Sequence, residues 1–336
     1  MKTFNTIFLI NAFSSIFLFF GCNSPESSGI ENNLEQLKSN TLIDTKADRS
    51  GDSKDTSESD KMIFVYIGPK SLDQFKKIAS YRLKDGSPAI DIVSIFAANI
   101  VMSSPPYLKA ENNPDSKYSF NDNILKVIDK KSNAIKTLQN NGIKVLLTIL
   151  GGHHDAGWSC FKDESSAQDF VNYLKSEVID KYGFDGIDID DEYSNCETSS
   201  QSLAMVASLF KKTMPDKLLT KALFNDVNYF NSAWKGNTLG ENLDFGAEMS
   251  YFSTDAEERL SSYNQFMDKK KLILGFSAED SFSYDRPNFG RRTKSVVDSG
   301  YRGVMLFNFE NEPASIKILK EFVNAIHGPG NFREIK

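Results

Sequence analysis

The sequence has few of the residues that usually hold a transition metal. Its 336 residues include three cysteines and three histidines. Apart from Cys22, the cysteines are Cys160 and Cys196, which do not form a CxxC pair, and no HExxH stretch occurs. A zinc site is therefore not expected, and we predict no metal and no cofactor.

Positive charge is also in short supply. Lysine and arginine number 39 against 45 aspartates and glutamates, so the formal net charge is −6 at pH 7. A mildly acidic chain lacks the basic surface that nucleic-acid-binding proteins use. We therefore predict no nucleic-acid partner.

The chain begins with an apolar run that is short for a membrane span. Ile7–Phe20, about 14 residues, suits the core of a signal peptide better than a transmembrane helix. Gly21 and Cys22 follow directly, as in bacterial lipoprotein signals, where the Cys is lipidated and becomes the new N-terminus. Phe19 replaces the usual Leu, and an ordinary cleaved signal is the alternative. We predict a lipoprotein signal peptide over residues 1–21.

A polar stretch without aromatic residues separates this leader from the rest of the chain. Residues 22–60 contain too few apolar side chains to fold and predict a flexible tether. Residues 61–327 have globular composition and a length typical of a (β/α)8 barrel, followed by a C-terminal tail over 328–336. We expect an exported protein that is lipid-anchored to the bacterial membrane, in the periplasm or at the cell surface.

Eight short apolar runs, separated by helical stretches, predict a single TIM barrel. Most are nearly continuous, as in parallel strands that are buried on both faces. Between the third and fourth runs, apolar residues recur at helical spacing after Ser165 and Ser166, either of which would serve as N-cap. The predicted strands are Met62–Ile67, Ile90–Ala97, Ile143–Leu150, Phe184–Asp190, Leu218–Phe224, Leu243–Tyr251, Lys271–Phe276 and Gly303–Phe309.

A row of acids marks the end of the predicted fourth strand. Asp188, Asp190 and Glu192 are two residues apart, so alternation along the strand puts all three on one face. Three ionised carboxyls in a row repel each other, unless protons are shared or a ligand uses them. Because such barrels place their active sites at the carboxyl ends of the strands, the row predicts a catalytic site.

Other interpretations of the acid row are weaker. Asp188 and Asp190 form a DxD, which holds a metal–nucleotide in glycosyltransferases, but this pattern is short. An EF-hand loop requires Gly at its sixth position, where Tyr193 stands. A purely structural cluster would leave carboxylates buried without partners, which is costly.

The acids also fit a longer pattern, DxxDxDxE, which begins at Asp185 and ends at Glu192. This pattern resembles the signature of glycoside hydrolase family 18, which includes chitinases and endo-β-N-acetylglucosaminidases. The resemblance spans roughly Met62 to Phe322. Within the family, the sequence resembles the endoglycosidase H subgroup most. Three further segments carry it: IFAANI at 95–100, KVLLTILGG at 144–152 and MPDK at 214–217.

The resemblance implies a retaining mechanism in which the substrate supplies the nucleophile. Glu192 would protonate the leaving oxygen and later activate water. Asp190 would accept the N–H of the 2-acetamido group, Asp188 would share a proton with Asp190, and Tyr251 would bond the acetamide oxygen. Asp185 has the opposite parity along the strand, so we expect it to be structural.

Residues at other strand ends are candidates for glycan contacts. Trp158 and Trp234 would stack on sugar faces, although Trp158 pinning its own loop is an open alternative. The long loop from residue 99 to about 123 would form one wall of the cleft. We expect a disulfide between Cys160 and Cys196. The candidate binding residues are Asn99, Gly152, His153, Trp158, Asn225, Trp234 and Asn308.

Taken with the resemblance, these residues imply an endo-β-N-acetylglucosaminidase. It would act as a monomer on N-glycans of glycoproteins, hydrolysing the β-1,4 bond of the di-N-acetylchitobiose core. A chitinase or chitooligosaccharide hydrolase is the first alternative. A non-catalytic carbohydrate-binding member of the family is the second, and the presence of Glu192 argues against it. The sixth strand and the loop after the second strand depart from the endoglycosidase H subgroup, so no glycan preference is carried over.

The leader generates the first test. If Cys22 carries the lipid, the substitution Cys22→Ala should release the protein from the membrane fraction, because we expect contact with the membrane through the N-terminal lipid only. Fractionation followed by immunoblotting measures this. Unchanged membrane association of the variant would contradict the prediction.

Overall fold

Eight parallel strands close into a barrel in the part of the chain that the computed structural model describes, namely residues 61–108, 125, 128–251, 255–279 and 288–335. Each strand pairs with its neighbours in sequence, and β1 closes against β8. The predicted TIM barrel is confirmed. The strands are β1 (Met62–Ile67), β2 (Ile92–Ile100), β3 (Lys144–Gly151), β4 (Gly186–Ile189), β5 (Leu218–Leu223), β6 (Phe245–Glu248), β7 (Leu272–Ser277) and β8 (Gly303–Phe307).

Helices surround the barrel. They are α1 (Leu72–Ala79), α2 (Ala134–Gln139), α3 (Glu164–Tyr173), α4 (Ser202–Thr213), α5 (Ala256–Ser262), α6 (Phe289–Asp298) and α7 (Pro313–His327). Short helical turns occur at Lys130–Ser132, Trp158–Cys160, Val227–Phe230, Leu239–Asn242, Tyr263–Gln265 and Lys269–Lys271, and α3 continues as a wider π-helix over Leu174–Gly183. Two short antiparallel pairs complete the described structure: Tyr81–Arg82 with Arg333–Glu334, which are far apart in sequence, and the hairpin of Ala233–Trp234 with Asn237–Thr238.

One detail of the predicted helices is wrong. The N-cap of α3 is Asp163, not Ser165 or Ser166, and its carboxylate accepts the backbone N–H of Ser166 at 2.9 Å. An aspartate is an effective cap because its negative charge also suits the positive end of the helix dipole. The two serines therefore lie inside the first turn of α3.

Some predictions concern parts of the chain outside the described residues. They are the signal peptide, Cys22, the tether over 22–60, and residues 109–124 of the long loop after β2. Among the helices that are described, none is both long and apolar enough to cross a bilayer.

Side chains alternate between two cores along each strand. Met62, Phe64 and Tyr66 of β1 point into the barrel, where they meet Leu146 and Met305. The intervening residues face outward and join the larger core between strands and helices. This alternation decides which residues of β4 face the barrel axis and which face the helices.

The amino end of β4 is held by Asp185. Its carboxylate accepts the backbone N–H of Val145 at 2.9 Å and the Gln139 amide at 2.8 Å, and it forms an ion pair with Lys144 at 3.3 Å. Gly186 follows, where a Cβ would lie 2.1 Å from the Leu218 carbonyl oxygen. Asp185 therefore fixes the strand that carries the other acids and faces away from them, as its parity predicts.

Candidate active site

Asp188 lies inside the barrel with no exposed surface. Its carboxylate accepts hydrogen bonds from the hydroxyls of Thr148 at 3.0 Å and Thr220 at 2.5 Å, and Ser94 bonds Thr148 in turn at 2.6 Å. Burial raises the pKa of Asp188 to about 6, although the hydroxyls oppose the shift. Asp188 can thus hold or release a proton near neutral pH.

Asp190 and Glu192 follow at the carboxyl end of β4. Asp190 is 4% exposed and Glu192 is half-buried. The pKa of Asp190 is raised by burial first, then by the charges of Glu192 and Asp188. The pKa of Glu192 is raised mainly by burial. The structure therefore brings the acid row together, and these neighbouring carboxyls titrate as an interacting set.

Tyr251 stands at the end of β6, and its phenol faces the same acids. Its ring stacks on Phe307 with centroids 5.6 Å apart and planes inclined by 8°. Burial raises the pKa of its hydroxyl, and the charges of Asp190 and Glu192 raise it further. The hydroxyl is therefore protonated at neutral pH and available to donate a hydrogen bond.

An aromatic group that the sequence analysis did not identify lines the inside of the barrel. Phe96 of β2 meets Phe307 of β8 edge to face at 5.3 Å, and both lie near Tyr66 of β1. The Tyr66 hydroxyl is buried near Asp188 but makes no hydrogen bond of ordinary geometry within the described ranges. The signal that could have found the group is aromatic residues at inward positions near the carboxyl ends of strands.

A buried cation was also missed. Lys221 of β5 is 2% exposed and forms an ion pair with Asp226. Its charge lowers the pKa of Asp188, Asp190 and Glu192, against the larger effect of burial. A lysine within the apolar run LLTKALF was the available signal, because lysine is rarely buried without a partner.

The loop after β3 supports the segment that carries Glu192. The Gly151 N–H donates to the Glu192 carbonyl at 2.8 Å, and the His153 N–H donates to the Tyr193 carbonyl at 2.7 Å. A Cβ at Gly151 would lie 2.5 Å from the Glu192 carbonyl oxygen, so glycine permits this close approach. The backbone of one loop thus sets the position of the other.

The expected disulfide is present. Cys160 and Cys196 are bonded, with their Cα atoms 5.8 Å apart. Nearby, the Ser199 N–H donates to the Ser159 carbonyl at 2.8 Å. The loops after β3 and β4 are therefore joined covalently as well as through their backbones.

The structure corrects the prediction that Trp158 stacks on a sugar. Its side chain is fully buried, its Nε1–H donates to the Ile149 carbonyl at 2.7 Å, and its ring meets Phe170 edge to face at 5.2 Å. An indole enclosed in this way has no face to offer a ligand. Trp158 pins the loop, which was the open alternative.

Trp234 also lies apart from the acids. It packs on the outer surface of α4, beside Ser208, Leu209 and Lys212, in a cavity of about 440 Å³. The Lys235 ammonium lies 4.7 Å from the centre of its ring. The prediction that Trp234 shares the catalytic face is therefore wrong, because the small hairpin carries it to the helical layer.

Two other predicted binding residues form the frame of the site. Asn99 is buried, and its Nδ2 donates to the Gly151 carbonyl at 2.8 Å. At Gly152, a Cβ would lie 3.1 Å from the Ile100 carbonyl oxygen, so this glycine permits the approach of β2. Both join β2 to the loop after β3, and their contact with a glycan stays a prediction.

The remaining predicted binding residues lie at strand ends. His153 is exposed, with its ring 5.0 Å from that of Tyr193. Asn225 is exposed after β5, and Asn308 follows β8, where its Nδ2 donates to Glu279 at 2.8 Å. All three have positive φ angles, so each marks a sharp change of direction as the chain leaves a strand or enters a loop.

No cluster of three or more histidine, cysteine, aspartate or glutamate side chains in the described ranges has the arrangement to hold a metal ion. The acid row instead lies among hydroxyls and aromatic rings, and the charge of the buried Lys221 acts on it. Such an arrangement can store protons, donate one to a leaving group, and bind a polar group beside an aromatic surface.

A model of the Glycosyl hydrolases family 18 matches residues 16–282. The chain belongs to this family. Two relatives are named endo-β-N-acetylglucosaminidases: one from Flavobacterium sp. (strain SK1022), 30% identical over 72% of this chain and 74% of its own length, and the F1 enzyme of Elizabethkingia meningoseptica, 28% identical over 68% and 66%.

The barrel is also similar to a solved structure. The Bacteroides thetaiotaomicron protein EndoBT-3987, crystallised with Man9GlcNAc2Asn, superposes with a TM-score of 0.60. The match covers 83% of this chain and 68% of that one at 21% identity, which supports the shared fold. The family 18 chain is a glycosidase with the acid row at the place where this fold does its chemistry.

The disulfide of this family 18 chain generates a prediction. Replacing Cys160 and Cys196 together by serine should lower the free energy of unfolding by roughly 3–4 kcal/mol, because a loop of this length is then free in the unfolded chain. Chemical denaturation measures the change, with thiol titration confirming that the native protein has neither thiol free. Equal stability of the variant and the parent would contradict this account.

Proposed function

We propose that the protein is an endo-β-N-acetylglucosaminidase that hydrolyses the β-1,4 bond of the di-N-acetylchitobiose core of N-glycans. The observation that carries the proposal is the interacting pair Asp190 and Glu192, whose pKa values are both raised, with the Tyr251 hydroxyl facing them. The names of the two relatives support the choice of bond within the family.

The pair can perform the first step without a protein nucleophile. Glu192 in its acid form donates its proton to the glycosidic oxygen as that bond breaks. The sugar whose anomeric carbon loses this bond carries a 2-acetamido group, and the oxygen of that group attacks the anomeric carbon. The attack forms an oxazolinium ion, and Glu192 is left ionised. Asp190 accepts the acetamide N–H, and the Tyr251 hydroxyl donates to the acetamide oxygen, so both groups orient the nucleophile.

The second step returns the proton. Ionised Glu192 takes a proton from a water molecule as its oxygen attacks the anomeric carbon and opens the oxazolinium ring. The sugar is released with its original anomeric configuration, and Glu192 is protonated again. Asp188, with a pKa of about 6, can share a proton with Asp190 while the charge on the pair changes.

The half-exposed aromatic rings provide an apolar surface next to these acids. Phe96 and Phe307 belong to β2 and β8, on the side of the barrel opposite β4 and β5. The C–H edges of a sugar ring pack favourably on such surfaces. We propose that they, rather than Trp158 or Trp234, contact the sugar whose acetamide reacts.

The place of action is part of the proposal. A lipid at Cys22 and a tether over residues 22–60 would hold the catalytic barrel near a bacterial membrane surface, where it meets glycoproteins or released glycans as a monomer. The lipoprotein-like leader supports this arrangement.

The test compares substrates and variants. We expect release of a glycan that ends in one GlcNAc from a high-mannose glycoprotein, with the other GlcNAc left on the protein and no cleavage of chitin oligomers, all followed by mass spectrometry. Glu192→Gln should lower kcat by at least about 100-fold, since it removes the transferable proton. The matched control is Glu197→Gln, an exposed residue of the same loop that pairs with Lys162, and it should leave kcat unchanged.

The outcomes separate the alternatives. Cleavage of chitin oligomers without glycan release would show a chitinase instead. Binding of both substrates without hydrolysis would show a carbohydrate-binding protein. Full activity of Glu192→Gln would contradict the assignment of the acid, whatever the substrate.

A further inference from the structure

Lys221 occupies an unusual place for a lysine. It lies on the outward face of β5, between Leu219 and Leu223. These two leucines belong to the hydrophobic core between the strands and the helices. Its side chain is 3% exposed. A buried ammonium is costly unless it is paired and hydrogen-bonded, so the surroundings of Lys221 must supply these partners.

One side of Lys221 is fixed by Asp226. The two side chains form an ion pair, and the Lys221 ammonium also donates to the Ala222 carbonyl at 2.8 Å. Asp226 is held in turn by the Tyr263 hydroxyl, which donates to its Oδ1 at 2.5 Å. The ammonium is therefore anchored from the loop after β5 and from the turn after α5.

Asp191 is a second acid close enough for the charge of Lys221 to act on it. This residue stands between Asp190 and Glu192, and by strand alternation it points away from the barrel axis, toward the helices. Its Oδ1 accepts from the backbone N–H and the hydroxyl of Ser159, at 3.3 and 3.2 Å. The charge of Lys221 acts on Asp191 and stabilises its ionised form.

The register of the sheet explains this proximity. Lys221 pairs with Ile189, the last residue of β4, so its side chain lies beside the point where the chain turns into the catalytic segment. The Lys221 ammonium thus offsets part of the negative charge that the buried carboxyls accumulate at that point.

We propose that Lys221 is a positioning residue: through Asp191 it orients the segment between Asp190 and Glu192, and through its charge it sets the pH range in which Glu192 holds its proton. This inference rests on the proposed acid role of Glu192. It adds a residue that need not touch substrate but determines the state of the residues that do.

The direction in which Lys221 shifts the carboxyl pKa values follows from its positive charge. Lys221 lowers the pKa of Asp188, Asp190, Asp191 and Glu192. Removing its charge should raise these pKa values and move the activity profile to higher pH, while removing Asp226 should do the opposite. Other ionisable groups of this layer are Tyr263, Glu248, Asp255 and Arg259. Of these, only Tyr263 is replaced, in the control variant below.

The experiment compares pH profiles of kcat/KM on a high-mannose glycoprotein. Lys221→Met should shift the basic limb upward by about one pH unit, the scale expected for a nearby opposite charge. Asp226→Asn should shift it downward, because the ammonium is then opposed by one carboxylate fewer. Tyr263→Phe is the matched control: it removes a hydrogen bond to Asp226 without changing any charge, and should leave the limbs in place.

A double variant and an NMR titration cover the cases in which Lys221→Met does not fold or the substrate is not cleaved. If Lys221→Met fails to fold because it leaves Asp226 unpaired, the double variant Lys221→Met/Asp226→Asn removes both charges, and its basic limb should lie above that of Asp226→Asn. Titration of the side-chain carboxyls by carbon-13 NMR, with Glu192→Gln to assign the signal, needs no activity. A higher Glu192 pKa after the loss of Lys221 supports the proposal even if the substrate assignment is wrong. If the charge variants fold but change neither the limbs of the pH profile nor the Glu192 pKa, the proposal is wrong.

Discussion

The structure of the site depends on limiting the repulsion among buried carboxylates at the end of β4. Asp188, Asp190 and Glu192 converge on one space, where burial favours their protonated forms. Hydroxyls satisfy Asp188, and the Lys221 ammonium opposes the accumulated negative charge. The outcome is a set of acids that hold their protons more readily than free carboxyls do, which favours acid and base catalysis by one residue.

The segment that carries Glu192 is held in place by the loop after β3. The segment after β4 has no regular structure of its own, so its geometry is imposed by the loop after β3. Backbone bonds from Gly151 and His153, the contacts of Ser159 and the disulfide at Cys160 all act on it. Trp158 pins that loop to the barrel. A catalytic group on irregular backbone can thus keep a fixed position because its neighbours are rigid.

Much of this arrangement was predictable from the sequence. Strand alternation placed the acid row correctly, because parity along a strand depends only on spacing. Contacts such as those of Trp158 and Trp234 were not predictable, since the course of a loop depends on tertiary packing. Lys221 was overlooked for the same reason: its partner Asp226 becomes a neighbour only when β5 and its loop are folded.

The central claim is that the nucleophile belongs to the substrate. The most direct measurement is kcat for a series of core glycans in which the reacting acetamide carries one, two or three fluorine atoms. Fluorine withdraws electrons from the acetamide oxygen, so the account predicts a steep fall in kcat along the series, with binding little changed. A flat series would contradict it and would point to a carboxylate or water as the attacking group.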